Sequence, residues 1–266
     1  SYTFVATAFA ARHARFTVSL CEIDAATYNL ASRSIFEDQA VDLRGPDRSF
    51  IILPVHQVGL AADIDAFRAD WPHAAIIEDA ACAIGARYPD GTRVGSRRDA
   101  VAACFSLHGS KSVVAGEGGL IATRDRHLAT RLRSLRQHGV DIAAEDRHGA
   151  EVESYVELGY NYRMTDVLAA VARVQLGSAD GIVAARRALA ARYTAALSPL
   201  GLLTPVERPA GAVHAFQRYL VRTRDLKTRE HLAVELAAAG ISCRRGLQVV
   251  HRQPAWTVCY LVPHLP

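Results

Sequence analysis

An acid and an amine stand just past two apolar runs. Glu78 and Asp79 follow one run in AAIIEDAACAIGA, and Lys111 follows another in CFSLHGSKSVVAGEGGLIATRD. Both runs read as buried strands. In an open α/β sheet, ligands bind outside the carboxyl ends of the strands, so Asp79 and Lys111 are expected near one rim. A lysine amine can form a Schiff base with a carbonyl, and a carboxylate can pair with a protonated ring nitrogen. These are the two protein groups that pyridoxal phosphate requires. Taken alone, the pair also fits a solvated loop lysine and a helix cap or surface acid, because short motifs match by chance.

The elements that must position them follow an alternating pattern. Strand-like segments are predicted at 16–21, 50–55, 74–77, 100–107 and 120–123, with helical patterns between them, such as 62–69 and 126–136. The alternation predicts an α/β fold, a mostly parallel sheet with flanking helices. Residues 141–153 are polar without periodicity and read as a loop. Residues 165–197 are strongly helical, and Gly177 and Gly181 are expected to break them into two helices. Pro199 and Pro205 then mark a boundary. We expect a large domain over 1–198 and a partial small α+β domain over 199–266, organised from Ala212 onward. In it, 214–222 reads as a strand and 228–239 as a helix closed by Gly240.

Composition bounds the function classes. The chain has 266 residues, 50% hydrophobic and 22% charged, which suits a large α/β domain with a small one attached and excludes a disordered chain. The net charge of +4 is spread among acids, with no basic stripe and interleaved aromatics, so no nucleic-acid partner is expected. The mild positive excess suits an anionic substrate. Five cysteines (Cys21, Cys82, Cys104, Cys243 and Cys259) include no C-x-x-C pair, and Cys82 and Cys104 are expected as buried thiols. That usage suits a reducing cytoplasm, and no metal site is expected. No apolar run reaches the roughly 18 residues of a membrane span, and no secretory pattern opens the chain.

Four ordered blocks resemble the DegT/DnrJ/StrS family of sugar aminotransferases, which have the fold type I pyridoxal-phosphate architecture. They are SYTFVAT; LPVHQVGLAADID with IIEDAACAIGARY; FSLHGSKSVVAGEGGLIATRD; and LRQHG with ELGYNYRMTDVLAAVARVQL. Their order and spacing match over nearly the whole chain. The resemblance implies that Lys111 carries the Schiff base, Asp79 pairs with the pyridine nitrogen and Ser106 binds the cofactor phosphate. It implies that Phe4 stacks on the pyridine ring. It also implies that Asn161 reaches the phosphate of a neighbouring subunit's cofactor, which makes the active site a property of a homodimer. Gly116, Gly118 and Gly119 would allow a tight turn beside the cofactor, or simply a loop into the next strand.

Two departures from the family pattern stand out. Cys82 occupies a position where many members carry Gln or His against the cofactor's ring hydroxyl. Cysteine is a much weaker hydrogen-bonding group, and a small buried residue is the preferred reading. The chain also opens after the family's Ser-Gly-Thr block, whose helix N-terminus cradles the phosphate. It closes before the family's last strands and helix, so it reads as an internal portion that would bind cofactor weakly by itself. Weaker candidates remain open. His108 and His138 could line the pocket or be structural. Arg163 could meet substrate or phosphate, or form a salt bridge at a helix start. Tyr160 and Tyr162 could pack at a subunit interface, and His56 fits a strand end near the site. Arg244 and Arg245 could face an anionic sugar nucleotide, with a solvated edge the simpler reading.

The leading functional expectation is transfer of an amino group from an amino acid, with glutamate the expected donor, to a nucleotide-linked keto sugar. A related deoxysugar dehydratase is the first alternative, but that branch replaces the Schiff-base lysine with histidine, and Lys111 is present. A non-catalytic regulatory or binding member is the second, and the retained Lys111, Asp79 and Ser106 speak against it.

Overall fold

In the computed structural model, residues 2–35, 50–141, 153–201, 209–246 and 248–257 are described. Four strands form one sheet in the order β1-β2-β3-β4: β1 Ile51–Ile52, β2 Ala75–Asp79, β3 Ala102–Ser106 and β4 Gly119–Ala122. β1 and β3 both run parallel to β2, and β4 is antiparallel to β3. The expectation of a mostly parallel sheet with flanking helices holds, and the antiparallel edge makes the sheet mixed. β1 and β3 are shorter than the runs 50–55 and 100–107 that announced them, β4 matches its run in length, and β2 extends two residues past 77 to take in Glu78 and Asp79.

Side-chain caps set where several helices begin. Asp63 accepts the Ala66 N–H at the start of α2 (Ile64–Asp70), and Asp125 accepts from His127 and Leu128 at the start of α3 (Arg126–Leu135). Thr165 caps α4 (Asp166–Gly177) in the same way. Each cap satisfies donors that have no partner inside the helix. α4 and α5 (Ala179–Leu197) meet at Ser178 with a 58° bend. Gly177 ends α4 as expected, but Gly181 lies inside α5 and breaks nothing.

The main core lies against the sheet. Phe67, Ile64 and Trp71 of the α2 region pack with Ile52, Ile76 and Tyr88, and Phe67 and Ile76 are fully buried. Burial of a side chain the size of Phe67 contributes about 1.5–3 kcal/mol. A second cluster joins Leu107, Val113 and Ala115 to Ala172 of α4 and Ala179 of α5. It seats the loop that carries Lys111. A third joins Ala8 of α1 (Val5–His13) to Val250 and Trp256.

Two predicted strands are absent. Residues 16–21 join no ladder; Val18 and Leu20 instead pack on the third cluster. Residues 214–222 form no strand either. Val213 makes one antiparallel bridge with Arg87, and Phe216 has φ +45°, which a regular strand excludes. The chain then leads to α6 (Leu226–Ala238). Gly240, at φ +74°, closes α6 by donating to Ala237 O while Ile241 donates to Leu236 O. That pairing is a Schellman motif, as the glycine predicted. Leu226–Ala238 is followed by a short α7 (Pro254–Thr257). The predicted loop at 141–153 and Cys259 lie largely or wholly outside the described residues. Among the described residues, no single helix is long and apolar enough to cross a membrane.

Candidate active site

The ends of the parallel strands build the site. Asp79 closes β2 and pairs in register with Cys104 of β3, and Ser106 closes β3. The backbone of Asp79 is held from the other side too: its N–H donates to Pro54 O (2.9 Å) and its carbonyl accepts from His56 N (3.0 Å). The carboxylate is half-buried and fixed by two donors. The Ala81 N–H reaches Oδ1 at 3.1 Å, and the Thr7 hydroxyl reaches Oδ2 at 2.6 Å. Thr7 lies on α1, so this bond docks the helix at the rim. Phe4 is the N-cap residue of α1, one turn before Thr7, and is 56% exposed.

Lys111 sits on a loop pinned at its base. Leu107 donates to Gly118 O, Ala115 donates to Leu107 O, and Lys111 N–H closes a turn onto His108 O, each at 2.9 Å. Gly116 and Gly118 have φ of +90° and +138°, and a methyl on Gly118 would come within 2.5 Å of Met164 Cε. The close turn expected of the glycines is therefore present. The Lys111 amine donates to Cys82 Sγ at 3.3 Å. Cys82 is thus more than a small packing residue: it touches the amine. Burial pushes the Cys82 thiol up from its ordinary range, with the nearby Lys111 charge acting against that shift. Burial likewise raises the Cys104 thiol, and the charge of Asp79 adds to it. Ser106 is half-buried, and its Oγ accepts the His108 N–H at 3.3 Å.

The remaining candidates separate into groups. Asn161 bridges Gln137, and Tyr162 N–H donates to Arg136 O; Asn161 and Arg163 are exposed. Among the described residues, neither is hydrogen-bonded to Lys111, Asp79 or Ser106. Tyr160 and Tyr162 stack at 4.8 Å and are mostly exposed. His108 is on the Lys111 loop, where its Nδ1 meets Ser110 Oγ at 2.9 Å and accepts the Ser110 N–H. His138 is exposed at φ +65° and donates its N–H to Tyr160 O. Arg245 pairs with Glu230 on an exposed surface. His56 turns away from the rim and is fully buried, with its Nε2 2.7 Å from Glu78 Oε2.

Sequence reasoning missed Thr7 and Gln217. The i, i+3 spacing of Phe4 and Thr7 on a helix was a usable signal for the first. The Gln217 side chain donates to Ser110 O at 2.8 Å, beside Lys111, and nothing local in the sequence announces that bond.

An amine, a carboxylate and a hydroxyl at the carboxyl rim of a parallel sheet, with a helix start docked on the carboxylate, define a fold type I aminotransferase framework. The chain belongs to the DegT/DnrJ/EryC1/StrS aminotransferase family, which residues 1–264 match. Among solved structures, it is similar to DesV of S. venezuelae, with 33% identity and a TM-score of 0.83, covering 97% of this chain and 65% of that one. An aminotransferase from Psychrobacter cryohalolentis gives 27% identity and a TM-score of 0.86, covering 99% and 70%. A DegT DnrJ EryC1 StrS aminotransferase from Brucella abortus gives 28% identity and a TM-score of 0.83, covering 96% and 66%. The chain therefore spans about two thirds of the length of the proteins it resembles. Pyridoxal phosphate is the cofactor of this family.

Proposed function

We propose that the protein is a pyridoxal-phosphate-dependent sugar aminotransferase, moving an amino group from an amino acid, glutamate, to a keto sugar carried on a nucleotide. One observation carries the reading. The Lys111 amine, the oriented Asp79 carboxylate and the Ser106 hydroxyl come from the ends of adjacent parallel strands, with Lys111 against Cys82 just beyond Asp79. This donor set fits the cofactor. When bound, pyridoxal phosphate supplies an electron-withdrawing ring that stabilises negative charge at the donor Cα.

The protein's own groups do the rest. Asp79 holds the proton on the ring nitrogen, and Thr7 and Ala81 fix its orientation for that task. Lys111 would hold the cofactor through its amine, and the same Nζ, when free, would be the base for the proton on the donor Cα. Ser106 would bind the phosphate, Phe4 would stack on the ring, and Cys82 would be the residue nearest the ring hydroxyl.

Asn161 completes the phosphate site of a second copy in the same proposal, with Arg163 beside it as a weaker substrate candidate. Exposed apolar side chains support such a dimer. Leu158 is 97% exposed, and Val167, Val171 and Val174 share one face of α4 at helical spacing, each open to solvent. The proposal includes a small domain over 199–266 and a cytoplasmic setting, the latter supported by the thiol kept against Lys111.

Borohydride reduction of cofactor-treated protein tests the assignment. The chain has two lysines, Lys111 and the exposed Lys227 of α6, so peptide mapping has one competitor. The label is expected on Lys111. Label on Lys227, or none, would end the aminotransferase reading.

A further inference from the structure

A clamped segment brings an exposed cation, Arg218, next to a residue that reaches the Lys111 loop. Ala215 donates to Gly59 O (2.8 Å) and Gln217 donates to Val58 O (2.9 Å). Arg186 Nη1 donates to Phe216 O and Gln217 O at 3.0 and 3.3 Å. His214 is fully buried, accepts the Phe216 N–H on Nδ1 and stacks on the Phe216 ring at 3.9 Å. Gln217, 7% exposed, reaches across to Ser110 O. The fit is close on the other side as well: a methyl on Gly59 would sit 3.0 Å from Cys82 O and 3.2 Å from Phe216 N. Two residues accept unfavourable backbone to allow this, Val58 at φ +48° and Phe216 at φ +45°. Left-handed backbone at a β-branched residue persists only where the surroundings over-determine it, and it concentrates at functional sites.

Arg218 follows directly. It is exposed and, among the described residues, makes no hydrogen bond or ion pair. Some arginines, such as Arg93, Arg97, Arg131 and Arg245, hold carboxylates, and others, such as Arg98 and Arg187, share the free state of Arg218 among the described residues; what sets Arg218 apart is the clamped segment that carries it. The charge of Arg218 is felt at Cys82, where it lowers the thiol against the dominant upward push of burial. A guanidinium held by a rigid backbone and left without a counter-ion is suited to take a carboxylate in two parallel hydrogen bonds.

The tie from the adjoining Gln217 to Ser110, the residue before Lys111, selects the anion. In an amino-acid donor, the α-carboxylate is bonded to the carbon that carries the reacting nitrogen. In a nucleotide-linked keto sugar, the phosphates are separated from the carbonyl by the sugar ring. We propose that Arg218, held in place by Gln217 and Arg186, binds the α-carboxylate of the amino donor, an inference that rests on the aminotransferase reading above.

Two probes test it on cofactor-loaded protein. 2-Methylglutamate has no α-proton, so binding is measured calorimetrically without turnover. 4-Aminobutyrate is glutamate without its α-carboxylate. Arg218→Met is expected to weaken 2-methylglutamate roughly tenfold to hundredfold, the scale of one lost charged hydrogen-bond pair, while 4-aminobutyrate binding stays unchanged. Arg218→Lys is expected to recover part of the loss. Placement is checked separately in cofactor-free protein: in Arg218→Met, the pH midpoint for alkylation of Cys82 is expected to move up, because a nearby cation is gone. An equal loss for both probes overturns the proposal. So does unchanged 2-methylglutamate affinity, with or without the thiol shift, or a selective loss on Arg163→Met in place of Arg218→Met. Failure of the underlying reading looks different: no cofactor is then fixed at Lys111 in the unmutated protein, and this proposal falls with it.

Discussion

Glu78 and Asp79 are neighbours on one strand with the same acidic group, yet they occupy opposite environments. Glu78 is fully buried, and its Oε2 accepts from His56 Nε2 and from the Tyr88 hydroxyl. His56 Nδ1 accepts the Ala62 N–H at 2.8 Å, which places the ring hydrogen on Nε2, pointing at Glu78. Burial, then the charge of Glu78, pushes the Tyr88 hydroxyl above its ordinary range. Asp79 points to the other face and keeps an open side at the rim, fixed by one hydroxyl and one amide. The period of two along a strand separates them, one into the core and one into the site. Acid identity alone says nothing about which carboxylate does chemistry.

The most direct way to break that separation is at Asp79. Asp79→Asn keeps the shape and loses the charge that, in the proposed function, holds a proton on the ring nitrogen. Turnover is expected to fall about a hundredfold or more, the scale of removing one preorganised electrostatic partner. The thermal unfolding midpoint is expected to stay where it was. Near-normal turnover would mean that the ring nitrogen is paired elsewhere.

Glu78→Gln asks the opposite question. The amide oxygen can still accept from His56 and Tyr88. Its NH2, however, would occupy the place of Oε1, which has no hydrogen-bond partner among the described residues. A buried donor left unsatisfied costs about 1–3 kcal/mol. Urea unfolding is expected to show that loss, with turnover per folded molecule roughly unchanged. Lost turnover at full stability would erase the distinction between the two carboxylates.

Much of this arrangement was legible in the sequence, and what was not has a physical cause. The apolar runs before Asp79 and Lys111 located two strands with their carboxyl ends within two residues of those observed, because buried strands of a mostly parallel sheet read as continuous apolar stretches. The glycines around 116–118 and Gly240 marked turns that only positive φ allows. The same logic misread 16–21 and 214–222. Val18, Leu20 and Phe216 are partly covered by packing and Ala215 is buried in a segment held by side-chain clamps, and an apolar run cannot tell these from a strand partner. His56 looked like a rim residue because it follows a strand; its side chain turns inward to an acid 22 positions away. The bonds from Thr7 to Asp79 and from Gln217 to Ser110 span 72 and 107 positions, distances at which no local pattern survives.

The smallest expected effect sharpens the comparison most. Thr7→Val keeps the branched shape on α1 and removes the hydroxyl that meets Asp79 Oδ2 at 2.6 Å. The carboxylate keeps its charge, the Ala81 N–H on Oδ1 and the backbone bonds to Pro54 and His56. What it loses is one orienting donor, and a hydrogen bond to a charged group contributes about 1.5–3 kcal/mol. Because Asp79 is half-buried, water can replace part of that loss. We therefore expect a fall in turnover of roughly fivefold to tenfold, just below that range. A loss as large as that of Asp79→Asn, in single-turnover measurements at saturating cofactor, would move Thr7 from positioning the acid to acting beside it. No loss at all would mean that the strand end alone aims the carboxylate, and that α1 docks at the rim for the sake of Phe4.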